Sequence, residues 1–393
     1  MREERIKKIA ELLYDYPMQA TPTAEIEAEF DKIVQVLRQN KIEVTKSGYE
    51  EEFCVIRYFV VLEKKKWSSH LGSDCEYYLA EELNTIGRIR IYFDWNKQAM
   101  ALEVPKTKYD YRDLGAERKR SVLGLKNLLL APIEKENAGG RYATSLYAGG
   151  ELVPLNLTDT YNILVGGASG SGKSCFLDAT LISLMARYTS NEIKFLLIDY
   201  KRVEFQAYEG LSYLIGKKVL HGFDESLSAL ESTAQEINNR FELFTQLSVR
   251  NITEYNEKAE EFGLSPMAHV FIVIDEFADA MMLGRKKIQD VLLRLMMRGR
   301  AAGIHVCIAT QRASREVLTT SLTASCPTKI AFYVSAAQDS RVLLGEDGAQ
   351  FLLSHGEALF KGATSPKAIR AQSAYISARE VERVTSYLRT EEE

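Results

Sequence analysis

The chain has 393 residues, 46% hydrophobic and 26% charged, a profile that excludes disordered and collagen-like classes and favours two or three globular domains. A net charge of −4 does not mark a nucleic-acid binder, yet a ring can confine its basic residues to a channel, so bulk charge decides nothing. Five scattered cysteines without a CxxC pair exclude a disulfide framework or zinc ribbon, and no apolar run approaches the ~20 residues of a membrane span.

The opening MREERIKKIAELL is charged and amphipathic, which excludes a secretory signal and predicts a short helix through Ile6, Ile9 and Leu13. A stretch bearing Pro17 and Pro22 follows. Thr21 and Pro22 read as the N-cap and first position of a second helix, with Ile26, Phe30, Ile33 and Leu37 on one face. Strand-like runs come at 53–63, 88–95 and 101–105, with the helical segment CEYYLAEELNTI between the first two. The basic stretch KTKYDYRDLGAERKR then separates this α+β module from the rest. Gly139-Gly140 and Gly149-Gly150 bracket a hairpin.

From Tyr161 onward, short apolar strands alternate with longer helical segments: YNILVGG, IKFLLIDY, VFIVIDE, HVCIATQ and KIAFYVS. Such runs indicate a parallel sheet buried on both faces. One more helix, from near Ser377, forms the tail. The expected fold class is α/β: a RecA-like P-loop NTPase core with a mostly parallel sheet, preceded by a smaller α+β domain. The expected divisions are a helical segment over 1–30, the α+β domain over 31–150 and the ATPase domain over 151–393.

The run Gly167, Ala168, Ser169, Gly170, Ser171, Gly172, Lys173, Ser174 fits the phosphate-loop spacing in full, between a strand and a helix that opens with Cys175. Its glycines let backbone N–H groups wrap a β-phosphate, and the helix N-terminus adds a favourable dipole. Lys173 would reach the β- and γ-phosphates of ATP, and the Ser174 hydroxyl would complete a Mg²⁺ shell. In VFIVIDEFAD, Asp275 ends an apolar strand and would orient a Mg²⁺-bound water; Glu276 would be the general base. Gln311, at the tip of HVCIATQ, is placed to sense the γ-phosphate. Arg298, Arg300 and Arg341 are candidates for an arginine acting on a neighbouring subunit's nucleotide.

These blocks together resemble the FtsK/SpoIIIE family of DNA-translocating ATPases. The matching segments, in order, are ILVGGASGSGKS, LLIDYKRVEFQAYEGL, RFELFTQLSVRNITEYNEK, VIDEFADAMM, RGRAAGIHVCIATQR and CPTKIAFYVSAAQDSRVLLGEDGAQFLLSHGEALF. The resemblance is strong over 150–375 and weak over 30–150. It implies a homo-hexameric ring around double-stranded DNA, driven by ATP hydrolysis at subunit interfaces. By position, Lys201, Arg202 and Lys329 become DNA-facing candidates. Ala313 stands where the family usually has proline, and Ala337 where it has lysine.

The expectation is a stripped-down cytoplasmic motor without membrane insertion or a C-terminal winged helix, working in DNA transfer, segregation or packaging. An ATPase that moves a protein substrate, or one that serves a relaxase, recombinase or membrane-channel partner, is the alternative.

Overall fold

Alternation of side chains along short strands, and apolar stripes along the helices between them, build two compact units in the computed structural model. The structure describes residues 2–16, 20–51, 55–63, 69–83, 85, 89–106, 122–133, 141–148, 151–160, 162–363, 365 and 367–391. Pro17, Cys54, Tyr161, both glycine pairs and nearly all of the basic stretch lie outside the described residues. Among the described residues, no helix is long and apolar enough to cross a membrane. One unit holds residues 16–123 with 351–353, the other the rest. In sequence the two units divide at 15/16 and 123/124.

Helix α1 (Arg2–Glu11) belongs to the larger unit, with Ile9 and Ala10 buried. In the smaller unit, α2 (Thr23–Gln39) buries Ile26, Phe30, Ile33 and Leu37, the stripe expected from their spacing. Its cap is shifted by one residue from expectation. Pro22 is the N-cap, because the Thr21 N–H is engaged by Glu51 Oε1 at 2.7 Å while Pro22 O accepts from Glu25 N at 2.9 Å. Strands β1 (Val44–Glu51) and β2 (Val55–Leu62), helix α3 (Ser69–Glu82), and strands β3 (Arg90–Asp94) and β4 (Ala99–Pro105) follow. The sheet is antiparallel in the order β1-β2-β4-β3. Its Val44, Tyr58, Val60, Leu102 and Val104 share one core with α2 and with Leu79 of α3. Strand β1 was not expected, because its VTKSGYEE is mostly polar and only Val44 is fully buried.

The larger unit continues with α4 (Leu125–Leu130), β5 (Tyr142–Ala148), β6 (Glu151–Asn156), the one-turn α5 (Leu157–Thr160) and β7 (Asn162–Gly166). Helix α6 (Lys173–Arg187) and β8 (Ile193–Ile198) come next, then α7 (Phe223–Gln246), α8 (Ile252–Phe262), β9 (His269–Ile274) and α9 (Phe277–Ala302). The chain ends with β10 (Ile304–Thr310), α10 (Thr320–Ser325), β11 (Thr328–Phe332), α11 (Ala337–Leu344), β12 (Glu357–Lys361), β13 (Ile369–Ser373) and α12 (Ala378–Glu391).

All strands of this unit join one nine-stranded sheet, ordered β6-β5-β13-β12-β11-β7-β10-β9-β8. From β11 to β8 every pairing is parallel, as the apolar runs required. From β11 outward to β6 every pairing is antiparallel. The order places β7 inside the parallel part, between β10 and β11, so the segments leaving all three strands emerge side by side. Helix α6 packs on β5 and is bordered by α1, α4 and α12; α9 packs on β10 and is bordered by α7 and α10.

Candidate active site

The loop after β7 is shaped by close backbone contacts that only glycine permits. Gly172 has φ +115°, and a Cβ there would lie 2.5 Å from the backbone N of Gly356. Gly356 N in turn donates to Ser171 O at 2.9 Å, Gly167 N to Thr310 O at 3.2 Å and Ala168 N to Tyr333 O at 2.8 Å. The loop is thus tied to the tips of β10 and β11 and to the turn before β12. Ser171 Oγ is fully buried and has no hydrogen-bond partner among the described residues. Lys173, at the start of α6, is buried, pairs with the Asp275 carboxylate and donates to Asp275 O at 3.3 Å.

Asp275 and Glu276 leave the end of β9 and are both buried. Glu276 is the N-cap of α9, where its Oε1 accepts from Ala278 N at 3.3 Å. The same oxygen accepts from Thr310 Oγ1 at 2.7 Å and Gln311 N at 3.3 Å. Oε2 accepts from Gln311 N at 3.2 Å and faces Lys201 Nζ at 3.4 Å. The strand-tip neighbours of β9 therefore seat this carboxylate on both sides.

A cleft of about 390 Å³ lies over the loop, lined by Ala168, Ser169, Gly170, Gly172, Lys173, Ser174 and Cys175. Opposite them stand Glu204, Gln311, His355, Gly356 and Ser373 to Tyr375. Glu204 lines the cleft together with Ser174, and burial raises its carboxyl above the usual range. Cys175 Sγ accepts from Ile376 N at 3.3 Å, and burial pushes its thiol up to about 12, so it serves as a tether to the chain after β13. Glu204, His355 and Tyr375 escaped sequence reasoning, as did the bond from Thr310 to Glu276. The signal for Glu204 was its place in the segment leaving β8, and for Thr310 its place as the last residue of β10; His355 and Tyr375 flank strands that polar residues disguised.

The other expected residues are not brought into this cleft. Arg300 ends α9 before β10, the opposite end of that seven-residue strand from Thr310, and its Nε donates to Thr158 O at 3.1 Å. Arg298 donates to Asn238 Oδ1 at 2.8 Å and lies over the Phe241 ring. Arg341, on α11, is exposed and paired with Asp347 at 2.7 Å. Lys329 is half-buried on β11 opposite Lys361, and burial lowers its pKa. It stands four strand spacings from Lys201 and Arg202, roughly 19 Å, so these three do not form one patch.

Central β7 with its glycine cradle, flanked in the order β11-β7-β10-β9-β8 and faced by paired acids at the tip of β9, defines a RecA-like P-loop ATPase. Residues 143–315 match the model of the FtsK/SpoIIIE family. The chain is 34% identical over 306 residues to the DNA translocase FtsK of Streptococcus agalactiae, across 76% of this chain and 36% of that protein. It is 36% identical over 299 residues to the DNA translocase FtsK of Treponema pallidum, across 75% and 36%. The structure of the pCW3 conjugation coupling protein TcpA, monomer form with ATPγS, gives a TM-score of 0.61 at 19% identity, covering 93% of this chain and 99% of that one. The cytoplasmic domain of the Thermomonospora curvata type VII secretion ATPase EccC gives 0.58 at 23%, covering 68% and 34%. At such identities these two show a shared fold. Residues 143–315 are thus of the FtsK/SpoIIIE family, and the chain spans little more than a third of the length of these FtsK relatives.

Proposed function

We propose that this chain is a cytoplasmic, ATP-hydrolysing DNA translocase that works as a homo-hexameric ring on double-stranded DNA. The observation that carries the reading is Glu276, an acid buried at a strand tip and oriented by Thr310 and Gln311 beside a complete phosphate cradle. Such a carboxylate is placed to take a proton from water attacking the γ-phosphate. The cradle fits ATP: its left-handed glycines leave room for backbone N–H groups, and the buried Ser171 hydroxyl is unpartnered. Gly167 to Cys175 would hold the phosphates, Lys173 would turn from Asp275 to the β- and γ-phosphates, and Gln311 would report the γ-phosphate. Ser174 and Asp275 would hold Mg²⁺, with Glu204 behind Ser174; the ion neutralises phosphate charge when bound.

Arg300 and Arg341 stand outside their own chain's cleft, which suits a residue acting on a neighbour's nucleotide. Arg202 and Lys329 are proposed to meet duplex phosphates separately, giving sequence-tolerant, salt-sensitive binding. The deciding experiment measures ATP turnover with and without long linear duplex, followed by displacement of a triplex-forming strand. Turnover stimulated by duplex with strand displacement is expected. Indifference to duplex, with stimulation only by a protein such as a relaxase, recombinase or channel subunit, overturns the reading.

A further inference from the structure

Among the described residues, Lys201 is the cation that pairs with Glu276 Oε2, and the turn that carries it is stiff. The buried Asp199 carboxylate accepts from four consecutive backbone N–H groups: Lys201 and Arg202 at 3.0 Å on Oδ1, Val203 at 2.8 Å and Glu204 at 2.9 Å on Oδ2. Arg202 sits within it at a left-handed φ of 60°. One turn therefore carries both Glu204, which lines the cleft with Ser174, and Lys201, whose Nζ lies 3.4 Å from Glu276 Oε2.

The two oxygens of Glu276 are not equivalent. Oε1 is anchored by the Thr310 hydroxyl and two backbone N–H groups. Oε2 shares the Gln311 N–H, at 3.2 Å against 3.3 Å for Oε1, and lacks the short hydroxyl bond; its other neighbour among the described residues is the lysine. It is the oxygen available to a water, and an ammonium beside it occupies the lone pair to which that water would donate. The side chain of Lys201 is 44% exposed against 4% for Glu276, so the lysine is reachable from solvent while the acid is not. Val203 beside it is 68% exposed, which puts the turn at the surface.

We infer that Lys201 is a positioning residue that holds Glu276 Oε2 from the attacking water until duplex phosphates draw the lysine away. This rests on the DNA-translocase reading, which supplies the polyanion: a duplex presents one charge per roughly 1.7 Å of axis. The contact is single and long at 3.4 Å, and its lysine is half-exposed, so a phosphate can compete for it. DNA contact and release of the base are then one event at one side chain.

The test uses the full chain and measures kcat and the KM for ATP, without DNA and with saturating linear duplex, for the wild type, Lys201→Ala, Lys201→Gln and Lys201→Arg. Both neutral variants raise the DNA-free kcat roughly three- to fivefold, leave KM for ATP unchanged and bring the stimulation by duplex close to one. Lys201→Arg restores the low DNA-free rate and the stimulation. A DNA-free kcat in the neutral variants at or below wild type overturns the inference. A raised DNA-free kcat with undiminished stimulation overturns release by DNA. A wild type that duplex fails to stimulate overturns the DNA-translocase reading instead, while the DNA-free comparison still decides whether Lys201 restrains the base.

Discussion

Thr310 Oγ1 donates to Glu276 Oε1 at 2.7 Å, joining the tip of β10 to the acid that leaves β9. The bond is buried and fixes which way the carboxylate faces. Thr310→Val keeps the shape and removes the donor. The expected result is a fall in kcat of about 10- to 100-fold with little change in KM for ATP, read from steady-state turnover. An unchanged kcat means that the backbone N–H groups of Ala278 and Gln311 orient Glu276 unaided.

Lys173→Ala and Glu276→Gln separate binding from chemistry. Loss of the lysine would remove the proposed cationic contact to the β- and γ-phosphates, so both nucleotide affinity and turnover are expected to fall. Glu276→Gln retains binding and lowers turnover by at least about 100-fold, so that fluorescent ATP stays bound and unhydrolysed. Wild-type turnover in Glu276→Gln removes this residue from the role of base.

Gly172→Ala tests the cradle. Its Cβ would meet the backbone N and Cα of Gly356 at 2.5 and 2.6 Å, in a conformation that already disfavours a side chain. A loss of at least about 2 kcal/mol of stability is expected, together with loss of nucleotide binding, measured by urea unfolding and by titration with ATPγS. Gly170→Ala is the comparison, because nothing lies within 4 Å of a Cβ there and only its φ of +72° opposes the change.

Acid should weaken the larger unit through a histidine pair far from the cleft. His269 and His305 stack with ring centroids 5.4 Å apart at the N-terminal ends of β9 and β10, and His269 Nδ1 lies 3.0 Å from His305 Nε2. Burial depresses both, His305 to about 3. Below pH 6.5 the unfolded chain takes up protons that the folded pair refuses, so stability falls as pH drops from 6.5 toward 3. The slope is about 1.4 kcal/mol per pH unit for each histidine that stays neutral. Urea midpoints between pH 7.5 and 5 follow this, and His305→Asn flattens the slope.

The residues explain which parts of the fold could be read in advance. Runs such as VFIVI and HVCIA are apolar on both faces, which only a covered parallel sheet accommodates, so β7 to β11 were legible together with the acids and loop at their tips. The antiparallel wing was less so. In β13, IRAQS alternates exposed Ile369 with buried Arg370, whose guanidinium pairs with the buried Glu357 of β12, a neutralised pair that reads as surface in the sequence. Helix α1 reads as an isolated amphipathic segment, and its place beside α6 depends on contacts such as Arg5 Nε to Met185 O at 2.9 Å. Partners of the site from distant segments, Tyr375 and His355 above all, carry no local pattern that spacing could reveal.

The hydrogen bond from Gly356 N to Ser171 O has a consequence for the order of assembly. The loop after β7 is made early in the chain, but the backbone that closes around it comes from the turn before β12, which is held in turn by Ser373 N donating to Gly356 O at 2.7 Å. Long-range pairings of this kind form late, because a large loop of chain must close first. A growing polypeptide halted short of Gly356 would carry the whole glycine-rich motif and still lack the seat for a nucleotide. Competence to bind is thus among the last properties the folding chain acquires.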